Sequence, residues 1–407
     1  MKHKAVILGC NYYIGLSIIR CLGVHGIHTV AVDYSDHHAY GARSKYTSER
    51  LISPHYKEDE EAFVRFLIDY ASRQSAPPVL FPCHDHYVEI IDRHLHELKS
   101  YYLIPQTEQG LYTKLMNKET LERLAREHGV AMPETVRTND PEFKEKIDRD
   151  IRFPCIVKPV DSPAFVAKFR RKIFKVHNHE ELREAIDKAQ QAGLEVIVQR
   201  IIPGFDDHMH TFDAYLNQEG KVTHWTTCQK LRQYPINFGA SVYTRQKHVP
   251  ELYEIGRKFL EGIGYKGFIE IEFKKDAETG VFYLIECNVR TTNFNHMLYK
   301  VGLNFPYIAY MELTGNPLPP KAVDKDVNRV FWYLYEDLFA IRDYLRTRQL
   351  TLGQILRSLR LRKAYAIWDI HDPKPGFAFA GIVLGKLFRK LLRRPAPQVV
   401  RKTAKKG

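Results

Sequence analysis

The stretch GFIEIEFKKDAETGVFYLIECNVR, residues 267–290, decides the fold. Residues 268–273 alternate apolar and acidic, and residues 282–288 do so more loosely. The segment between them, 274–280, carries turn chemistry in Asp276 and Gly280, so the pattern predicts a β-hairpin. Side chains on a strand have period two. Glu270 and Glu272 therefore share one face, and Ile269, Ile271 and Phe273 share the other. Glu286 and Asn288 share a face of the second strand, which runs on to Arg290. Carboxylates and an amide oxygen on one face, without a thiol pattern, suit a hard cation that stays attached to phosphate, as Mg²⁺ does. A solvated sheet face would carry the same residues, and the choice between the two rests on the remainder of the chain.

The chain has 407 residues, enough for two or three domains and a sizeable core. Hydrophobic residues make up 44% and aromatic residues 12%, the composition of a folded globular protein. Six cysteines, at 10, 21, 83, 155, 228 and 287, form no Cys-x-x-Cys pair, so neither a zinc site nor a disulfide framework is expected. A reduced, cytoplasmic protein fits this usage. The apolar run at residues 5–10 is too short for a signal peptide, and no run approaches the roughly 20 apolar residues of a membrane span. The net charge of +13 is concentrated at one end: residues 341–407 hold 17 Lys and Arg against 3 Asp, and the rest sums to about −1. A near-neutral body with a basic extension is expected.

Upstream of the hairpin, residues 4–8 read as a buried strand followed by Gly9. Helical spacing follows in Ile14, Ile18, Ile19 and Leu22, then a second strand at 29–32 ending in Asp33. This β-α-β unit lacks the Gly-x-Gly-x-x-Gly of a dinucleotide fold, because Gly9 and Gly15 are six apart. A further helix at 60–73 and strand at 78–81 complete a small doubly wound domain. Helical periodicity runs over 114–128, with Lys118 at its start. Residues 153–159 form a short strand carrying Lys158, which would be half-buried unless it meets an anion. Residues 196–202 form an apolar strand holding Gln199, Arg200 and Ile201, followed by Asp206 and Asp207. Lys230, Arg232 and Gln233 lie in a polar segment with Pro235 and Gly239, the composition of a mobile loop.

The ordered set resembles the ATP-grasp ligases, and within them the carboxylate–amine ligases. The resemblance rests on residues 6–15, 44–46, 80–85, 117–118, 129–135, 153–159, 199–204, 230–239, 285–290 and 301–306, and covers about residues 1–318. It implies an α/β (α+β) architecture. A pre-ATP-grasp domain would span 1–113. An ATP-grasp domain would span 114–320, with a lid-like subdomain at about 118–200 and a catalytic subdomain at about 201–320. A basic extension would follow at 321–407.

The resemblance also implies a site. ATP would be gripped between two sheets, with Lys118, Lys158 and Lys172 near its phosphates. Gln199, Arg200 and Ile201 would meet the adenine, and Asp207, with Asp206 close by, the ribose. Glu272, Glu286 and Asn288 would hold two Mg²⁺, with Mn²⁺ an alternative ion; Glu270 stands farther from the family's position. The γ-phosphoryl group would pass to a small carboxylate, an amino acid being the best guess, and an amine would attack the acyl phosphate. Charge placement dominates such chemistry. Arg290 would stabilise the acyl phosphate and oxyanion, and Lys230 and Arg232 would hold the γ-phosphate or the substrate carboxylate. The family's phosphate loop is usually Gly-rich, whereas residues 161–168, DSPAFVAK, hold no glycine, and Lys168, Arg170 or Lys172 would have to supply positive charge. Two alternatives stay open: a dipeptide or amino-acid polymerising ligase, and an inactive nucleotide-binding scaffold at an anionic surface.

Within the extension, residues 350–361 suggest a basic helix, and 377–392, FAFAGIVLGKLFRKLL, an amphipathic one. Such a segment either packs on the body or lies in the interface of an anionic membrane, at its inner face. A lipid-linked or polymeric envelope acceptor is the matching expectation, by analogy. No base-reading motif appears, so nucleic acid is not an expected partner, and a homodimer stays open.

Overall fold

The computed structural model describes residues 2–160, 162–171 and 173–392. The N-terminal sheet is built from β1 (Ala5–Leu8), β2 (Thr29–Asp33), β3 (Glu49–Ile52) and β4 (Val79–Pro82), all parallel in the order β3-β2-β1-β4. Strands β1 and β2 are buried throughout, as expected where helices cover both faces of a parallel sheet. The strand order reverses between β1 and β4, which makes a crevice at their carboxyl ends, Gly9–Tyr12 beside Cys83–Asp85. Gly15 is explained here without a dinucleotide: a Cβ at this position would lie 2.6 Å from the Gly9 carbonyl oxygen.

The helical pattern over 114–128 is broken into two helices, Leu111–Met116 and Lys118–Glu127. The break is Asn117, whose side chain accepts hydrogen bonds from the backbone N–H groups of Glu119 and Thr120 and so starts a new helix. Beyond it a small sheet runs β5 (Thr135–Arg137), β8 (Val196–Arg200), β6 (Cys155–Pro159), β7 (Phe174–Val176), with antiparallel pairing at each contact. The glycine-free stretch is a helix, Ser162–Phe169. Phe165 and Phe169, four apart, share a face and pack on Phe174. Asp161 and Lys172 lie outside the described residues.

The third sheet carries the opening hairpin. It contains β9 (Met209–Leu216), β10 (Val222–Tyr234), β11 (Ala240–Gln246), β12 (Gly267–Lys275), β13 (Phe282–Asn288), β14 (Lys321–Val323), β15 (Arg329–Trp332) and β16 (Arg362–Tyr365). The order is β13-β12-β9-β10-β11-β15-β16, with β14 paired to β10. The hairpin turn is as its residues require: Asp276 accepts from the N–H groups of Glu278 and Thr279, and Gly280 has φ +75°. Ile269, Ile271 and Phe273 are fully buried against Leu252, Phe259 and Leu260 of the helix Pro250–Gly262. The opposite face of the same strand is thereby turned to the small sheet.

Two expectations are corrected. The polar segment 230–234 is not a loop but the end of β10, where Lys230 and Arg232 are buried. The extension after residue 320 is not appended to a finished domain, since β14, β15 and β16 complete the large sheet. Its helices are Leu334–Arg346, Leu352–Ser358 and Lys374–Leu392, and residues 393–407 lie outside the described residues. Asp372 fastens this region to the N-terminal domain. It takes a hydrogen bond from Arg20 Nε at 2.9 Å and one from Ser44 Oγ at 2.6 Å, both buried, and one from the Lys45 N–H at 2.9 Å.

Candidate active site

The small sheet and the hairpin face each other across a cleft of about 700 Å³. One wall is set by register. Glu270 stands opposite Asn288 and Glu272 opposite Glu286, so the four polar groups form two adjacent rows on the cleft side. A bulge follows, because Phe273 pairs with Leu284, and Ile285 joins Glu286 in lining the cleft. Glu270 accepts from Asn288 Nδ2 at 2.8 Å and from Thr292 Oγ1 at 2.6 Å. Glu272 pairs with Lys230 Nζ at 2.6 Å. Glu286 is exposed and makes no hydrogen bond or ion pair among the described residues.

The facing wall carries cations. Lys118 Nζ donates to the Pro159 carbonyl at 3.1 Å, and Lys158 Nζ to Gln199 Oε1 at 2.7 Å. Among the described residues neither ammonium has a carboxylate within ion-pairing distance, so each is held by a neutral oxygen. Burial lowers the pKa of Lys158 to about 7, and the neighbouring Lys118 pushes the same way. Lys118 is lowered by burial as well. Apolar side chains line the region between the walls, among them Leu121, Ile156, Ile201, Ile202, Met209 and Ile285.

The hairpin wall has the opposite imbalance. Burial raises the pKa of Glu272, and Glu286 and Glu270 raise it further, against the pull of Lys230. Burial works against the charge of Lys230 too, but Glu272, Glu270 and Glu286 outweigh it and hold its pKa above the ordinary lysine value. One ammonium serves three carboxylates. Asp213, beside Glu270 on the neighbouring strand, adds a buried carboxyl with one oxygen lacking a partner. Among the described residues no three His, Cys, Asp or Glu side chains form a complete metal cage. Glu272, Glu286 and Asn288 thus fit an ion that brings further oxygen ligands with it, as Mg²⁺ bound to phosphate does.

Arg290 closes one end of the cleft. Its Nε lies 2.7 Å from Asp85 Oδ1, and its Nη2 is 3.2 Å from Asn288 Oδ1. Asp85 follows β4 at the reversal of the N-terminal sheet, so this pair joins the crevice of one domain to the hairpin of another. Burial opposes the charge on Arg290, and Asp85 restores it.

Other expected site residues stand elsewhere. Arg232 does not reach the cleft. Register shifts on either side of it turn its side chain to the back of the sheet, where it meets Asp337 with two 2.6 Å contacts and Ser358 Oγ at 2.8 Å. Asp207 sits on a short 3₁₀ turn, exposed and paired with His208, and does not line the cleft. Asp206 is buried, accepting from Gln233, the Asn237 N–H and Tyr344. Arg200 borders the cleft, but its guanidinium is held by Glu134, Asp276 and Tyr283. The Gln199 side chain is taken up by Lys158 and Thr135, which leaves it little freedom to read a base edge. Lys172 lies outside the described residues. Several lining residues are not singled out by the sequence, Lys274 and Ile285 among them. Lys274 follows Glu270 and Glu272 at period two, a signal that was available. Ile285 faces the cleft only because of the bulge, which no local pattern announces.

The family model described as D-ala D-ala ligase C-terminus matches residues 126–309. The D-aspartate ligase of Enterococcus faecium is 27% identical over 254 residues, which cover 60% of this chain and 60% of that protein. The chain therefore spans about three-fifths of this curated relative. Among solved structures, the biotin carboxylase domain dimer of the Hydrogenobacter thermophilus 2-oxoglutarate carboxylase, in complex with MgADP, ADP and bicarbonate, aligns with a TM-score of 0.63 at 19% identity, covering 81% of this chain and 74% of that one. The N5-carboxyaminoimidazole synthetase of Staphylococcus aureus, complexed with ADP, aligns with a TM-score of 0.60 at 16% identity, covering 79% and 80%. At these identities the two structures speak to the fold alone.

Proposed function

We propose that the chain is an ATP-grasp carboxylate–amine ligase that joins a small carboxylate to an amine at the expense of ATP, a reading supported by the family match over residues 126–309 and by the similarity to D-aspartate ligase. One observation carries the reading. Lys118 and Lys158, two cations without carboxylate partners, face a carboxylate group with too few cations across a single cleft. A nucleotide phosphate chain with Mg²⁺ would neutralise both walls at once.

In this reading Lys118 and Lys158 bind phosphate oxygens, and the apolar residues around Ile201 and Ile202 hold the base. Bound Mg²⁺, as two ions or with Mn²⁺ in its place, would neutralise charge on the transferring phosphoryl group and be held by Glu272, Glu286 and Asn288. Lys230 fixes Glu272 and supplies a buried positive charge behind it. Transfer of the γ-phosphoryl group to a carboxylate oxygen yields ADP and an acyl phosphate. The amine nitrogen then attacks the carbonyl carbon; the C–N bond forms, phosphate leaves and the nitrogen loses a proton. Arg290 faces the developing oxyanion and the phosphate. Arg232, Asp207 and the Gln199 side chain have no direct part in this account.

An amino acid is the carboxylate that the D-aspartate ligase relative favours, and a cell-envelope precursor or polymer is the matching acceptor. The helix Ser162–Phe169 favours a second reading, a nucleotide-binding scaffold without turnover, because helical bonds engage backbone N–H groups that a glycine-rich loop would leave for phosphate. A screen of amino acids against amines, read by ADP release and by mass of the product, separates the two. Amide formation that is lost in Arg290→Ala supports the ligase. ADP binding with no product from any pair supports the scaffold.

A further inference from the structure

We propose that the outer face of the C-terminal helix Lys374–Leu392, with the adjoining surface of the helix Leu334–Arg346, docks onto an anionic lipid bilayer. The C-terminal helix is anchored along one side only. Phe379 packs on Tyr40, Tyr333 and Tyr335, and Ala378 and Ile382 rest against the same core. Gly376 lies so close to Trp368 that a Cβ there would come within 2.4 Å of the indole, and Asp372 ties the preceding turn to Arg20, Ser44 and Lys45. The start of the helix is therefore fixed to the body.

Among the described residues its other side is open beyond Phe377, whose ring meets Trp368 edge-on. Phe377, Leu384 and Phe388 recur at helical spacing and are 68%, 64% and 63% exposed. From Leu384 to Arg389 every residue except Gly385 is exposed, so the helix projects from the body there. Leu338, on the neighbouring helix that touches Phe379 through Tyr335, is 60% exposed. Clustered apolar exposure of this kind marks an interaction surface.

Charge selects the occupant. After Asp372 the chain contains no Asp or Glu, whereas Lys374, Lys386 and Arg389 flank the apolar stripe, and residues 390–407 add seven more Lys and Arg. Two copies of this face would bring like charges together, which disfavours a dimer through it. A basic amphipathic helix with Phe and Leu on one side suits the boundary between anionic headgroups and acyl chains. Among the described residues no helix is long and apolar enough to cross a membrane, so the contact is interfacial. This inference does not depend on the chemistry assigned to the cleft.

The test is flotation of the full chain with vesicles of phosphatidylcholine alone and with about one-third phosphatidylserine. Selective binding to the anionic vesicles is expected, with loss at high salt. The double variant Leu384→Glu/Phe388→Glu alters two exposed side chains and should lower the bound fraction about tenfold or more, with an unchanged melting temperature and unchanged ADP binding. Equal partitioning to both vesicles, no binding to either, or undiminished binding of the variant would overturn the proposal. So would lipid-free self-association abolished by the same variant, which would make a second copy the occupant.

Discussion

Lys230 and Arg232 stand two residues apart on β10, both buried and both within 2.6 Å of a carboxylate, yet they serve different parts of the molecule. Lys230 lies buried behind the cleft wall, where its partner Glu272, which lines the cleft, is one of three carboxylates drawing on the same ammonium. Arg232 faces the C-terminal helices. Its Nε, Nη1 and Nη2 all donate, its guanidinium lies 3.9 Å from the centre of the Tyr243 ring, and Asp337 takes a further bond from Trp332 Nε1. The back of the sheet is a closed account of donors and acceptors. The cleft is left with excess negative charge on one wall and excess positive charge on the other. Charge that is balanced within the chain points to a structural joint; charge balanced only by an added molecule points to a binding site.

The sharpest way to break this contrast is Glu286→Gln. Glu286 is exposed and has no bonded partner among the described residues, so melting should be unchanged while amide formation falls about 10²–10³-fold or more, as with loss of a transition-state charge contact. Retained turnover would remove the hairpin from the chemistry. The converse test is Arg232→Ala, which strands Asp337 and should cost about 3–5 kcal/mol in urea unfolding, with ADP affinity of the folded fraction unaltered. Replacing both partners by apolar residues, Arg232→Met with Asp337→Leu, should recover most of that loss. A catalytic defect in the double variant that outlasts recovered stability would place Arg232 back in the site.

Lys158 gives a pH signature. Its pKa of about 7 leaves it largely uncharged at pH 8 in the free protein. A phosphate beside it favours the ammonium, so nucleotide binding at pH 8 should take up a proton, and affinity should weaken as pH rises through 7 and level off below it. Calorimetry in buffers of different ionisation enthalpy reads the uptake directly, and Lys158→Gln should abolish it. The smallest effect belongs to Asp207→Asn. An exposed residue outside the cleft should change nucleotide affinity by less than about twofold, a shift within the usual range for surface substitutions. A larger change would reinstate it as a ribose contact.

The legible parts of the molecule were those with local periodicity. The hairpin alternates, its turn holds Asp276 and Gly280, and the lysines stand at element ends, so the two walls of the cleft could be read from the chain. What could not be read depended on register or on distant partners. The irregular pairing around Arg232 turns its side chain away from Lys230's side, although the two are an even number apart. Strand β14 is three residues long and finds its partner about a hundred positions upstream, so no alternation marks it. The segment 161–168 was read through the absence of glycine, when the spacing of Phe165 and Phe169 already indicated a helix.

The large sheet also sets an order of assembly. Strand β11 gains its outer neighbour only when residues 329–332 have been made, and that neighbour is covered in turn by residues 362–365. Arg20 waits across 352 positions for Asp372. During synthesis, then, the hairpin and its flanking strands exist for a time as a sheet with a bare edge and an uncompensated arginine in the first domain. Such an edge is a template for wrong pairing. Nascent chains stalled before residue 329 should depend on chaperones far more than released ones, so that faithful folding of the cleft is governed by residues far from it in sequence.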